Sequence, residues 1–318
     1  MTPLLTIKTL FEQQAKSLQL KWIAGRRGEA RLLEPTNAKF PGMALVGHLN
    51  FVHPNRVQVI GKAELAYLKR LGKSKQSAAM DELCSCPRTT AVVVAGGHAA
   101  PAGLRHAAET HKLALFTSPL PSPVLIDNLQ YYLARALAPR LTVHGVYMEV
   151  MGMGVLITGE SGIGKSELAL ELLSRNHRLI ADDAVELVRV GPNILVGQCP
   201  GALSDYLEVR GLGILDVRLM FGETAVRHRK RLHLIVHLER FTKRRMAKVD
   251  RLQAKVQTRK LLDIEVPSTV LYVGPGRNLA VLVETATRAY ILRMWGINPL
   301  EEFMKRQQSL IHGQPSAE

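Results

Sequence analysis

Gly159-Glu160-Ser161-Gly162-Ile163-Gly164-Lys165-Ser166 carries the spacing G-x-x-x-x-G-K-S. Its glycines let several backbone N–H groups turn toward one point, where they can cradle phosphate oxygens. Lys165 is placed to reach β- and γ-phosphates, and the Ser166 hydroxyl to ligate Mg²⁺. Context separates this loop from a plain Gly-rich turn. Gly154 to Thr158 before it reads as a short buried strand, and Glu167 to Asn176 after it has Leu168, Ala169, Leu172 and Leu173 at helical spacing. The following helix adds the partial positive charge of its N-terminus. The chain is expected to bind a phosphate-bearing nucleotide.

Asp182-Asp183 closes the next apolar run, Arg178 to Ala181. An Asp at such a strand end holds Mg²⁺ in phosphate-loop enzymes. Adjacent carboxylates on an extended chain point to opposite sides, so one could serve a metal and the other accept a proton; an exposed Asp-Asp turn would look the same. Glu208-Val209-Arg210-Gly211-Leu212-Gly213-Ile214 offers a carboxylate for a metal and a guanidinium for phosphate, or a surface ion pair beside a turn. His144, before Gly145, is either structural or a group that orients an acid. In Gly274-Pro275-Gly276-Arg277-Asn278 the glycines permit a tight turn and Arg277 can clamp phosphate; an ordinary turn between strands is the other reading.

With 318 residues and 47% hydrophobic content the chain should hold two domains, each able to bury a core. No apolar stretch reaches the length of a membrane span. Met1 to Leu20 has acids and amides where a signal peptide needs an apolar core. Three cysteines give no disulfide framework, and Cys84-Ser85-Cys86 lacks a second pair for a metal site, so a cytoplasmic protein is expected. The net charge is +15, and Arg227 to Lys260 carries most of it, with 13 Lys/Arg against two acids, a net +11. Such a run suits a nucleic acid, phosphate groups or an acidic protein. Only Phe241 interrupts it as an aromatic, so it makes no stacking platform for single strands.

Strands are expected at Arg56–Ile60, Thr90–Ala95 and Leu113–Phe116, alternating with helices over Thr6–Leu18, Glu64–Leu71, Ala102–His111 and Ile126–Ala138. That alternation implies an α/β unit with a mostly parallel sheet, ending near Pro139. The boundary is therefore placed between 1–138 and 139–318. The second unit is read as a strand over Leu141–Val150, the phosphate-loop unit, strands at Val185–Val190, Ile194–Val196, Leu232–Leu238 and Asn278–Val283, and a helix over Glu284–Trp295. Gly313 to Glu318 reads as a tail.

Together these residues closely resemble the bifunctional HPr kinase/phosphorylase family. The match includes His144-Gly145, the run His177 to Asp183, the signature Leu207-Glu208-Val209-Arg210-Gly211-Leu212-Gly213-Ile214-Leu215-Asp216, and Pro275 to Asn278. In the first domain it includes Pro41 to Gly47 and Arg56 to Gly61. It departs from the family pattern at Tyr272, where proline is expected, and in the more basic Arg240 to Lys248. The resemblance implies an N-terminal α/β domain plus a phosphate-loop kinase domain similar to phosphoenolpyruvate carboxykinase, assembled as a homohexamer. It implies ATP, or in some members pyrophosphate, as donor and a regulatory serine of the phosphocarrier protein HPr as acceptor. The reverse reaction is phosphorolysis by inorganic phosphate. Carried over by position, Gly159 to Ser166 bind nucleotide and Ser166 and Glu208 hold Mg²⁺. Lys165 neutralises phosphate charge, and one of Asp182 and Asp183, with Asp183 favoured, is the acid/base. His144 and Arg251 join the active site, and Tyr272-Val273-Gly274-Pro275-Gly276-Arg277 belongs to dephosphorylation. The competing readings are a nucleic-acid-binding phosphate-loop ATPase, for which no motor motifs are found, and a small-molecule kinase.

Overall fold

Four short runs rich in Val, Ile, Leu and Ala make the first sheet because both of its faces are covered, so no polar alternation is needed. The computed structural model describes residues 5–33, 45–51, 54–201, 204–240 and 257–311. Contacts divide the chain into two units, Met1–Ala138 and Pro139–Glu318. In the first, the sheet order is Lys21–Ala24, Ala114–Thr117, Ala91–Val94, Val57–Ile60, Val46–His48. The last four strands are parallel and the first is antiparallel at the edge. Successive side chains go to opposite faces. Val57, Val59, Ala91 and Val93 meet Leu125, Leu129 and Leu133 of the helix Ser122–Ala136. Ile60, Val92 and Val94 meet Leu65, Leu68, Leu83 and Leu104 on the other side. The mostly parallel α/β arrangement is present.

The second unit is built on a mixed sheet of nine strands among the described residues. Met153–Gly159, Arg229–Arg240 and Ile264–Val273 lie side by side and parallel. Arg178–Ala181 points the same way, because it and Met153–Gly159 are both antiparallel to Val146–Val150, which lies between them. Four strands therefore end at one edge, where Gly159, Asp182, Arg240 and Val273 emerge. Ligands bind outside the carboxyl ends of parallel strands in such sheets.

Several expectations change here. The single strand expected over Leu141–Val150 is two, Arg140–His144 and Val146–Val150, with different partners. At Gly145 a Cβ would lie 2.5 Å from the Ile157 carbonyl oxygen, so only glycine allows the chain to turn there. Asn278–Val283 is not a strand. The β-branched run Val281 to Val283 suggests one, but Asn278 accepts the Val281 N–H in an N-cap, and the helix Leu279–Met294 buries Ala280, Val283, Glu284 and Thr287 along one face. The signature around Glu208 is a hairpin, Tyr206–Val209 with Gly213–Asp216, that drives Leu207 and Val209 into the same core as the phosphate-loop helix. Arg251, Pro41 to Ala44, Lys243 to Arg245 and the tail lie outside the described residues.

The basic run does not form one patch. Arg229 and Arg240 are the two ends of a 12-residue strand, about 36 Å apart at roughly 3.3 Å per residue. At the far end from the phosphate loop, Arg227 and Lys230 sit with Arg178 on the buried carboxylate of Glu149, at 3.1, 2.9 and 3.2 Å.

Candidate active site

The strand Met153–Gly159 delivers the phosphate loop, and the helix Lys165–Ser174 receives it, anchored by Leu168, Ala169, Leu172 and Leu173. Gly162 has φ +73° and faces the guanidinium of Arg210, which also approaches the Ser161 hydroxyl at 3.4 Å; a Cβ on Gly162 would stand 2.6 Å from Arg210 Nη1. The backbone thus takes a left-handed turn that glycine adopts without steric cost. The Lys165 ammonium, on a residue only 8% exposed, donates to the carbonyls of Gly159 and Glu160 at 3.1 and 3.0 Å. It is held over the loop that it serves.

The two aspartates are sharply different. Asp182 is buried; its Oδ1 accepts from Ser166 Oγ at 3.4 Å and its Oδ2 from the Glu208 N–H at 2.9 Å. Burial pushes its carboxyl above the ordinary Asp value, against the hydrogen bonds from Glu208, Asp183 and Ser166, and the Asp183 charge adds to the rise. Asp183 has a side chain 72% exposed, with Oδ1 3.0 Å from His144 Nδ1. The antiparallel pairing of Ala184–Gly191 with Arg140–His144, with Gly145 N–H donating to the Asp183 carbonyl at 3.1 Å, puts those two side chains together. Extended geometry is not what separates the aspartates. Asp183 has φ +63°, and Ala184 N–H closes a three-residue turn onto the Asp182 carbonyl at 2.7 Å.

One cleft of about 570 Å³ gathers His144, Lys165, Ser166, Asp182, Asp183, Glu208 and Arg210. Oxygen donors of Ser166, Asp182 and Glu208 converge there, which suits a small hard cation that keeps water and phosphate oxygens among its ligands. Among the described residues no three His, Cys, Asp or Glu side chains form a metal cluster, as a dedicated protein cage would require.

Other expected positions serve differently. Leu207 and Val209 are core, Asp216 caps the helix Val217–Phe221 through the Leu219 N–H at 2.9 Å, and Leu212 and Ile214 are exposed. Tyr272 and Val273 end their strand at the cleft's edge of the sheet, and Gly274 to Arg277 leaves from there. That turn is not among the groups lining the cleft. Sequence reading missed one buried polar cluster, Arg175, His177 and Glu284. Its signal was an acid among Ala280, Val283 and Thr287, the core face of a helix, and that face disappears when the segment is read as a strand.

No helix among the described residues is long and apolar enough to cross a membrane. The pattern of the HPr Serine kinase N terminus matches residues 5–133, and that of the HPr Serine kinase C-terminal domain matches residues 135–307. An HPr kinase/phosphorylase of Chromobacterium violaceum is 47% identical over 315 residues, covering 99% of this chain and 98% of that protein. One from Xylella fastidiosa is 46% identical over 312 residues, covering 98% of each. A solved Hpr(Ser) kinase/phosphatase from Coxiella burnetii is 39% identical and covers 49% of this chain and 93% of its own, with a TM-score of 0.46. With both domain patterns in tandem and nearly half of all residues shared over the full length, the chain belongs to the HPr serine kinase family.

Proposed function

We propose that this chain transfers the γ-phosphoryl group of ATP, or a phosphoryl group of pyrophosphate, to a serine hydroxyl of HPr. In reverse it moves the phosphoryl group of phosphoserine onto inorganic phosphate, giving pyrophosphate. The observation that carries this reading is the cleft in which a phosphate loop faces one buried and one exposed aspartate. Gly159 to Ser166 hold the phosphates, and Lys165 follows the charge on the transferred group. Mg²⁺, held by Ser166 and Glu208, supplies neutralisation of charge on phosphate oxygens. Asp182 is already committed to Ser166 and the Glu208 backbone, so it orients those ligands. Asp183 faces solvent, where a protein substrate must enter, and takes the proton of the serine hydroxyl as its oxygen bonds to phosphorus and ADP leaves. In phosphorolysis the same carboxyl returns a proton to the departing serine oxygen. His144, 3.0 Å away, orients that carboxyl. Arg251 and the turn Tyr272–Arg277 complete the site, the latter for phosphorolysis. Assembly as a homohexamer and a cytoplasmic setting belong to the same reading; three free cysteines, with the buried Cys84 thiol pushed up to about 12 by burial, support a reducing compartment. A nucleic-acid ATPase is disfavoured by a basic run split between the two ends of its strand and partly neutralised by Glu149.

Purified protein, HPr, ATP and Mg²⁺ should yield phosphoserine-HPr by mass spectrometry, and phosphoserine-HPr with inorganic phosphate should yield pyrophosphate. A folded protein that does neither, yet binds duplex DNA tightly at physiological salt, would overturn the assignment.

A further inference from the structure

The cleft rests on a polar clamp that none of its own groups touches. Glu284 is 6% exposed on the core face of the helix Leu279–Met294. Arg175, which follows the phosphate-loop helix, donates to it from two nitrogens, Nε to Oε1 and Nη2 to Oε2, both at 2.8 Å. His177 Nε2 lies 3.0 Å from Oε1 and leads directly into Arg178–Ala181, the strand that ends at Asp182. Six residues earlier, Asn278 Nδ2 donates to Glu171 Oε1 at 2.8 Å. The two helices therefore run side by side in one register, pinned at Asn278–Glu171 and at Glu284–Arg175. A buried ion pair adds little net stability compared with apolar residues of the same volume, and its best-attested use is to fix one register.

The parts of the site are held unequally. Gly159 and Asp182 follow strands laddered into the sheet. The turn Gly274–Arg277 is held by the strand end at Val273 and by the start of the helix that Glu284 clamps. We propose that Glu284 is a positioning residue: with Arg175 and His177 it fixes the height of the Gly274–Arg277 turn against the phosphate-loop helix, and phosphorolysis depends on it more than phosphoryl transfer from ATP does. This rests on the functional reading above, including the role of that turn.

The test compares wild type, Glu284→Gln and Glu171→Ala in both directions, with the fold followed by circular dichroism. Glu171 is a partner of the second pin outside the cleft, so its variant probes the turn should Glu284→Gln fail to fold. The expected result is a kinase kcat within about twofold of wild type and a phosphorolysis kcat lowered about tenfold in Glu284→Gln, short of the roughly 10²-fold that a 1 Å misplacement costs. Glu171→Ala should show the same split, smaller. Equal losses in both directions, or no change in either, in folded variants would refute the positioning role while leaving the functional reading intact. A folded wild type inactive in both directions removes that reading and this inference together.

Discussion

Replacing Asp183 separates backbone strain from chemistry. Its φ of +63° and the 2.7 Å Ala184-to-Asp182 bond describe a tight turn of the left-handed kind, the rare and strained form. An L side chain there carries about 1–2 kcal/mol of steric strain. Glycine escapes that strain but brings about 0.5–1 kcal/mol of extra chain entropy to the unfolded state. Asp183→Gly and Asp183→Ala lose the same carboxylate and the same 3.0 Å contact with His144, so that loss cancels between them. The Gly variant should then exceed the Ala variant by about 0.5–1 kcal/mol. In a unit of this size that is a gap of about 1–4 °C in thermal midpoint. Melts by circular dichroism at neutral pH, run beside the two HPr assays, read both quantities. Both variants should be inactive. Asp183→Asn, which tolerates left-handed backbone, should melt near wild type and still lack turnover. An Ala variant as stable as the Gly variant would refute the strain argument. Near-normal turnover in Asp183→Asn would move the acid/base role elsewhere.

Lys165→Ala should abolish kinase and phosphorolysis together, since both directions use one phosphate site; activity in either direction in the folded variant contradicts the assignment. Glu208→Gln should raise the Mg²⁺ concentration for half-maximal activity, because a neutral amide replaces a carboxylate; an unchanged Mg²⁺ titration argues against Glu208 as a ligand. Charge reversal at Arg240, on the cleft's edge of the sheet, should slow HPr association at low salt more than reversal at Arg229, at the opposite end of the strand; equal effects would show that distance from the cleft does not matter. Finally, hydrogen bonds from Arg175, then from His177, hold the Glu284 carboxyl down at about 2 from 4.5. Its stabilisation is thus complete above about pH 4.5 and is lost as pH falls toward 2. Midpoints measured from pH 6 to 2 should fall more steeply for wild type than for Glu284→Gln, and parallel curves would deny the contribution.

The phosphate loop was legible because its strand, glycines and helix are consecutive in the chain, so local pattern and final geometry coincide. The first unit was legible for a similar reason, its strands and helices alternating at close spacing. Glu208 could be singled out only as a carboxylate beside glycines; that it sits on a hairpin reaching Asp182 depends on pairing over 26 residues. The break at Gly145 was hidden because continuous apolar sequence does not record which partner each half will take. In Asn278–Val283 a β-branched run outweighed a capping Asn, and tertiary burial of the Ala280–Thr287 face reversed that choice. The basic run showed its total charge, but a fully extended strand carried its two halves to opposite edges, which composition cannot show.

Gly159, Arg240 and Val273 end three adjacent parallel strands, and neighbouring strands stand about 4.8 Å apart. The roots of three segments that leave the sheet there thus span about 10 Å, fixed by backbone ladders that owe nothing to the segments themselves. A one-residue slip of any of these strands would turn its buried side chains outward, so the roots keep their places when the segments change. The result is a socket with interchangeable fittings. The turn after Val273 or the segment after Arg240 can be grafted from a relative with a different balance of activities, and the phosphate loop beside them keeps its footing.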